Sequence, residues 1–251
     1  MILSIETSTP VCSVALHEIS ANATNENGKL LGCFELFTAQ SHSGELTVLI
    51  ENLIKQTSYQ FSDIKAVAIS KGPGSYTGLR IGVSTAKGLA YSLGCELIAV
   101  STLEAMALQI AAISLENDVL FCPMLDARRM EVYCSIFSKN TNVINNNFSD
   151  NLSNDFLKEI SPISAKIIDK DTFADILENN KIVFFGDGAS KCKASFAHQK
   201  NAFFLENITP SAKEIGFLAN QRFNKQLFED LNYFEPYYLK DFVTTAKKSN
   251  P

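Results

Sequence analysis

Histidine is scarce in this chain. His17, His42 and His198 are the three present, and none stands in H-x-x-x-H or H-E-x-x-H spacing, which leaves out the usual protein-built metal sites of hydrolases. Each reads as a surface or locally hydrogen-bonded residue. The six cysteines, Cys12, Cys33, Cys95, Cys122, Cys134 and Cys192, include no C-x-x-C pair and no Cys/His cluster. They are expected to be small buried hydrophobes in a reducing cytoplasm rather than zinc ligands or disulfide staples. No apolar run approaches the ~18 residues that cross a bilayer, and the opening MILSIE reaches an acid within six residues without a basic flank. The chain is therefore expected to be neither exported nor membrane-spanning. Basic charge is in deficit too: 22 Lys and Arg stand against 27 Asp and Glu, a net charge of −5. Such a surface has no general attraction for phosphate backbones, so contact with nucleic acid would need a local basic patch or a partner. Repeats and heptads are also missing. What remains is an ordinary globular balance, 46% apolar and 20% charged over 251 residues, enough for one large domain or two small ones.

The order of elements is readable in outline. Residues 1–6, 11–17 and 30–37 are β-rich runs separated by short polar segments, the pattern of an antiparallel meander. Leu46, Leu49, Ile50, Leu53 and Ile54 then recur at helical spacing after Ser43, which predicts a helix over 43–57 with one apolar stripe. A buried strand at 65–70, a glycine-rich loop at 71–78 and a helix at 78–93 follow. A strand at 95–100, a helix at 102–113 and two strands at 119–126 and 131–138 complete a mixed sheet covered by helices. The stretch 139–180 carries little pattern and reads as variable loops. Beyond it lie a strand at 181–185, a helix at 211–224 and an aromatic tail from Tyr233.

Three segments carry chemistry. Gly72-Pro73-Gly74-Ser75-Tyr76-Thr77-Gly78 joins a buried strand to a helix, where backbone N–H groups can face an anion. It lacks the Gly-Lys-Ser/Thr of a nucleotide-binding P-loop, and a tight structural turn is the competing reading. Glu6-Thr7-Ser8-Thr9 sets an acid and three hydroxyls at the end of the first strand, either a phosphate-gripping hairpin or a hydroxyl-rich turn. Asp126-Ala127-Arg128-Arg129-Met130-Glu131 joins two strands, and its arginines could clamp a phosphate or a partner's carboxylate or stand as a charged hairpin tip. Gly74-Ser75 is not the G-x-S-x-G of a hydrolase elbow, so no nucleophile triad is supported.

Seven ordered blocks together resemble one family: MILSIETSTPVCSVAL, the His42-Ser43 helix, KGPGSYTGLRIGVSTAKGLA, VSTLEAMA, LDARRMEVY, FFGDGA and YYLKD. The chain resembles the TsaB (YeaZ) family from end to end, with poor coverage only across 139–180. The resemblance implies an α/β fold of the acetate and sugar kinase, Hsp70 and actin type, ribonuclease H-like, with two sub-domains each holding a mixed β-sheet flanked by helices. The lobes are expected at 1–101 and 102–230, with 231–251 packing back. It further implies a non-catalytic subunit of the complex that makes threonylcarbamoyladenosine next to the tRNA anticodon. The implied partners are a TsaD-type transferase and, through the complex, a TsaE-type ATPase; tRNA is met only through the complex, and a homodimer forms when the chain is alone. No cofactor, metal or catalytic residue is expected. The competing reading is an enzyme of the same superfamily, glycoprotease-like or ATP-binding; a self-contained tRNA-binding protein is a third, opposed by the acidic balance.

Residues that could touch a nucleotide or phosphate are Glu6, Thr7, Ser8, Thr9, Gly72, Gly74, Ser75, Gly186 and Gly188. For the partner interface the sequence offers Leu46, Leu49, Ile50 and Leu53 of the first helix. It also offers Gly82, Ala86 and Ala90, four apart on the second, as a shallow groove of small side chains facing outward; the alternative is that they let the helix sit close to its own sheet.

Overall fold

The computed structural model describes residues 1–19, 28–38, 42–140 and 156–240. Strands β1 (Ile2–Glu6), β2 (Cys12–Glu18), β3 (Lys29–Leu36), β4 (Ala66–Gly72) and β5 (Glu96–Ser101) form one sheet in the order β3-β2-β1-β4-β5. β1 runs antiparallel to β2 and parallel to β4. A second sheet, β10-β9-β6-β7-β8, is built from β6 (Val119–Asp126), β7 (Glu131–Lys139), β8 (Leu157–Ile167), β9 (Lys181–Phe185) and β10 (Ala202–Leu205). β6 is antiparallel to β7 and parallel to β9. The two sheets therefore repeat one topology: a three-strand meander whose first strand also pairs with a parallel crossover strand.

The central strands are apolar throughout because both of their faces are covered. Side chains of a strand alternate between faces. Thus Leu3, Ile5, Val67 and Ile69 share a core with helix α1 (His42–Lys55) and helix α2 (Tyr76–Leu93), while Ile2, Ala66, Ala68 and Ile98 point the other way. That second face meets α3 (Thr102–Ala111) and the long C-terminal helix, which follows the single-turn helices α4 (Ala174–Leu177) and α5 (Ala189–Cys192) and is α6 (Ala212–Asn224). Phe121, Leu125, Phe137 and Phe185 of the second sheet join the same core. No helix among the described residues is long and apolar enough to cross a membrane.

Four expectations are corrected. The weakly patterned stretch contains an eleven-residue strand, β8, at the edge of the second sheet; its LKEISPISAKI has one face in solvent and so no continuous apolar run. The residues between 141 and 155 lie outside those described. α6, expected in the second lobe, lies on the first sheet: Ala212 N–H donates to Ser13 Oγ at 3.0 Å and Arg222 to the Ala99 carbonyl at 2.7 Å. His17 is fully buried rather than at the surface. Its ring faces Gly216 of α6, where an added Cβ would fall 2.0 Å from Nδ1.

The fourth correction concerns the groove. Gly82, Ala86 and Ala90 face the protein's own sheet, the two alanines fully buried. A Cβ on Gly82 would meet Thr7 Oγ1 at 2.2 Å. The small residues let α2 lie close to the β1 end. Leu46, Ile50 and Leu53 of α1 are buried in the same core, and Leu49 is half-buried. A core-facing stripe and an interface stripe look alike in sequence, since both are apolar or small at helical spacing.

Candidate functional site: a cleft between the sheets

Three segments singled out in the sequence meet in one cleft of about 640 Å³. Its walls include Ser8 and Thr9 from the β1–β2 turn, Gly74 to Thr77 before and at the start of α2, Asp126 to Arg129 from the β6–β7 turn, Asp187, and Tyr237 to Lys240 of the tail. Each loop leaves the end of a sheet strand or starts a helix, so rigid elements hold it.

Local chemistry fixes these loops. Ser75 caps α2, its hydroxyl accepting from Gly78 N–H, and the helix ends on Gly94 in the left-handed conformation (φ 62°), as helix termini favour. The approach of the loop to the β1 end is by backbone: Ser75 N–H donates to the Ser8 carbonyl at 2.7 Å, and a Cβ on Gly74 would fall 2.4 Å from that same oxygen. On the other side, Ala127 N–H donates to the Glu131 carbonyl and Glu131 N–H to the Arg128 carbonyl, both at 3.1 Å, closing a tight turn. Lys191 pairs with Asp126 and Lys240 with Glu131. The tail is anchored by Tyr237 N–H on the Lys71 carbonyl at 2.7 Å and by packing of Tyr238 on Tyr76, ring centres 4.9 Å apart.

Not every expected contact reaches the cleft. Ser8, Thr9, Gly74 and Ser75 line it. Glu6 and Thr7 are sealed beneath: Glu6 is fully buried, its Oε1 accepting from Ser8 N–H at 2.6 Å and Ser70 Oγ at 3.0 Å, and Thr7 Oγ1 donates to the Gly78 carbonyl at 2.9 Å. Burial pushes the Glu6 carboxyl above the ordinary carboxylate range, against hydrogen bonds that favour the charged form. Gly72, Gly186 and Gly188 do not line the cleft either. Gly186 and Gly188 instead allow the β9 end to press on Met124 and Leu125 of β6. His42 is buried, with Nε2 2.7 Å from the Thr9 carbonyl, and so ties α1 to the β1–β2 turn. Among the described residues no three His, Cys, Asp or Glu side chains gather as metal ligands would. The sequence reading did not foresee the tail's place in the cleft wall. The aromatic run YFEPYY was its only signal.

Comparison with known proteins gives this geometry a family. The family model for TsaD: tRNA N6-adenosine threonylcarbamoyltransferase matches residues 16–248. The chain is similar to the tRNA threonylcarbamoyladenosine biosynthesis protein TsaB of Escherichia coli (strain K12), 34% identical over 143 residues, covering 57% of this chain and 57% of that one. It is similar to the protein of the same name from Haemophilus influenzae, 26% identical over 247 residues, 98% and 96% of the two chains. The Buchnera aphidicola (Acyrthosiphon pisum) TsaB is 32% identical over 145 residues. The chain spans 60% of that relative's length and 57% of the E. coli one. Among solved structures, YeaZ from Pseudomonas aeruginosa superposes with a TM-score of 0.70 at 20% identity over 95% of this chain and 99% of that one. A second P. aeruginosa protein, described as similar to peptidase YEAZ, reaches 0.75 at 21%, with the same coverage; both show the fold. With the match over 16–248, the full-length H. influenzae relative and the shared fold, the chain belongs to the family that the TsaD model describes and, within it, to the TsaB (YeaZ) group.

Proposed function

We propose that this chain acts in tRNA threonylcarbamoyladenosine biosynthesis as a non-catalytic subunit that binds a TsaD-type transferase and holds it in working form. The observation that carries the reading is the fate of Glu6, the acid offered for phosphate chemistry, and of the neighbouring His42. Glu6, at the end of β1, is buried under the cleft and bonded to Ser8 and Ser70, and His42 is spent on the Thr9 carbonyl. Both serve the fold of the turn, which is what a scaffold needs and a catalyst does not.

The outward faces of α1 and α2 are the binding surface in this reading, in place of the buried stripe. Val48 is exposed, and Leu49, Ile81 and Leu89 are half-buried. Gly44 and Gly88 stand on these helices with no atom of the described residues within 4 Å of where a Cβ would be. A helical glycine costs ~1 kcal/mol relative to alanine, and here no contact among the described residues requires it; a partner helix packing closely would. TsaE-type ATPase and tRNA are met through the complex, and a second copy occupies the same helices when the transferase is absent.

The test is co-purification of the chain with the TsaD-type protein of the same cell, alongside the threonylcarbamoyladenosine content of tRNA after depletion. A stable complex and lost modification are expected, both restored by the wild-type chain and by E6Q. Unchanged modification on depletion, or peptidase or ATPase turnover by the isolated chain that E6Q abolishes, would overturn the reading.

A further inference from the structure

A second cavity, of about 390 Å³, opens where α3 and α6 meet β7 and β8 at the edge of the second sheet, and it shares no wall residue with the cleft. We propose that it binds a free amino acid with an apolar side chain, a role separate from the docking of a transferase. The strand pleat and the helix period together shape its walls. Leu157 and Glu159 are two apart on β8 and so share a face, with Phe137 of β7 in register opposite Glu159. Leu218 and Gln221, three apart on α6, close the cavity from the helical layer. Phe137 and Leu218 are buried and Leu157 is half-buried, which gives an apolar body of ligand a surface to cover.

One polar side chain in these walls is unexplained by the fold. Gln221 is 6% exposed, and its Nε2 has no hydrogen bond to a described residue. A buried amide left so is destabilising, and packing alone would favour an aliphatic side chain at that position. Its neighbour Arg222 is committed, to the Ala99 carbonyl at 2.7 Å and to Glu104 at 2.6 Å. Gln221 is therefore the donor that a ligand would satisfy.

Charge and size narrow the ligand. Glu159 is exposed at the rim, and its carboxylate has no ion pair or hydrogen bond with a described residue, while Lys225 lines the same cavity. A simple amine would answer Glu159 and meet Lys225 with like charge; a simple carboxylate would do the reverse. A zwitterion answers both. Its ammonium takes Glu159, and its carboxylate takes the Lys225 ammonium and the Gln221 amide. At about 390 Å³ the cavity is near the small end of ligand pockets, which suits a ligand of few heavy atoms with its side chain laid on Phe137, Leu157 and Leu218.

Calorimetric titration of the full chain with L-leucine and L-phenylalanine tests this. The controls are glycine, which lacks the apolar side chain, isoamylamine, which lacks the carboxylate, and isovalerate, which lacks the ammonium. The wild type is expected to bind at least one of the two apolar amino acids, and each control at least about tenfold more weakly. E159Q alters an exposed side chain, so it should keep the wild-type melting temperature while losing at least about tenfold in amino-acid affinity. Q221L should lose affinity to a like extent and melt at the same temperature or higher, because the unpartnered buried amide is gone. No binding of either amino acid by the wild type, or any control binding as tightly, would overturn the proposal. So would undiminished binding by E159Q or by a folded Q221L.

Discussion

His17 shows how one buried residue sets a pH window. It lies fully buried on β2, with Phe217 edge-on at 5.0 Å and the Gly216 backbone against its ring. Burial, the larger cause, holds its pKa down to about 4, partly offset by the Lys213 carbonyl. The unfolded imidazole titrates near 6.5, so between these values the unfolded chain binds the proton that the folded chain refuses. The stability from a neutral His17 is complete above pH 6.5 and is lost as pH falls through about 4, on the order of 3 kcal/mol in all. Glu6 and Glu214 act in the opposite sense: burial raises both carboxyls, so their contribution is present at low pH and lost as pH rises through the folded values. Denaturant titrations of wild type and H17L from pH 7 to 4 separate the two. The wild type should lose stability relative to H17L over that range, and parallel curves would show that His17 is not neutral in the fold. At the same contact, G216A should destabilise severely through its 2.0 Å clash with the ring. Combining it with H17A should recover part of the loss, which a double-mutant cycle reads directly.

At the scale of the element, α2 separates what sequence carries from what it leaves open. Its start, its capping Ser75 and its stop at Gly94 follow from local chemistry, and so do the strands with continuous apolar runs, β4 and β9 among them. Period alone could not say whether Gly82, Ala86 and Ala90 meet a neighbouring protein or the β1 end, because small residues serve close approach to either. Tertiary contact decides it: Thr7 and Ile69 fill the space where a Gly82 side chain would stand. β8 escaped notice for a related reason, since an edge strand half in solvent, with Pro162 and scattered charges, shows no clean alternation. The cleft was legible as three separate motifs and became one site only when the topology placed both sheets' turns side by side. A prediction follows for α2. A86R and A90R should unfold the chain or lower its stability by at least ~3 kcal/mol, since each forces a charge into a filled core. G88R, on the open face, should keep the wild-type melting temperature and lose the transferase in a pull-down. A folded A86R with normal association would mean that α2 sits otherwise than described.

For the whole molecule the question is whether two sheets of like topology behave as two cooperative units or one. The core between them argues for one. Ile2, Ala68 and Ile98 of the first sheet, Phe121, Phe137 and Phe185 of the second, and Leu103, Ile215 and Leu218 of the helices all belong to a single buried cluster. Arg222 of α6 links the Ala99 carbonyl at 2.7 Å with Glu104 of α3 at 2.6 Å, so the helical layer is pinned to both a strand end and its own neighbour. Separating the sheets would expose this layer on both sides, whereas a chain of two independent domains would divide at a thin, polar seam. Truncating Ile215, fully buried on α6, to alanine removes transfer energy and leaves a cavity at a cost of ~2–5 kcal/mol. If the molecule is one cooperative unit, that loss is felt by amides far from the substitution. Native-state hydrogen exchange on I215A should then show protection falling by the same free energy in β1 and in β7, with one calorimetric transition whose van't Hoff and measured enthalpies agree. Protection lost in β1 alone, or a melting curve with two steps, would make the sheets separate folding units and the helical layer part of the first.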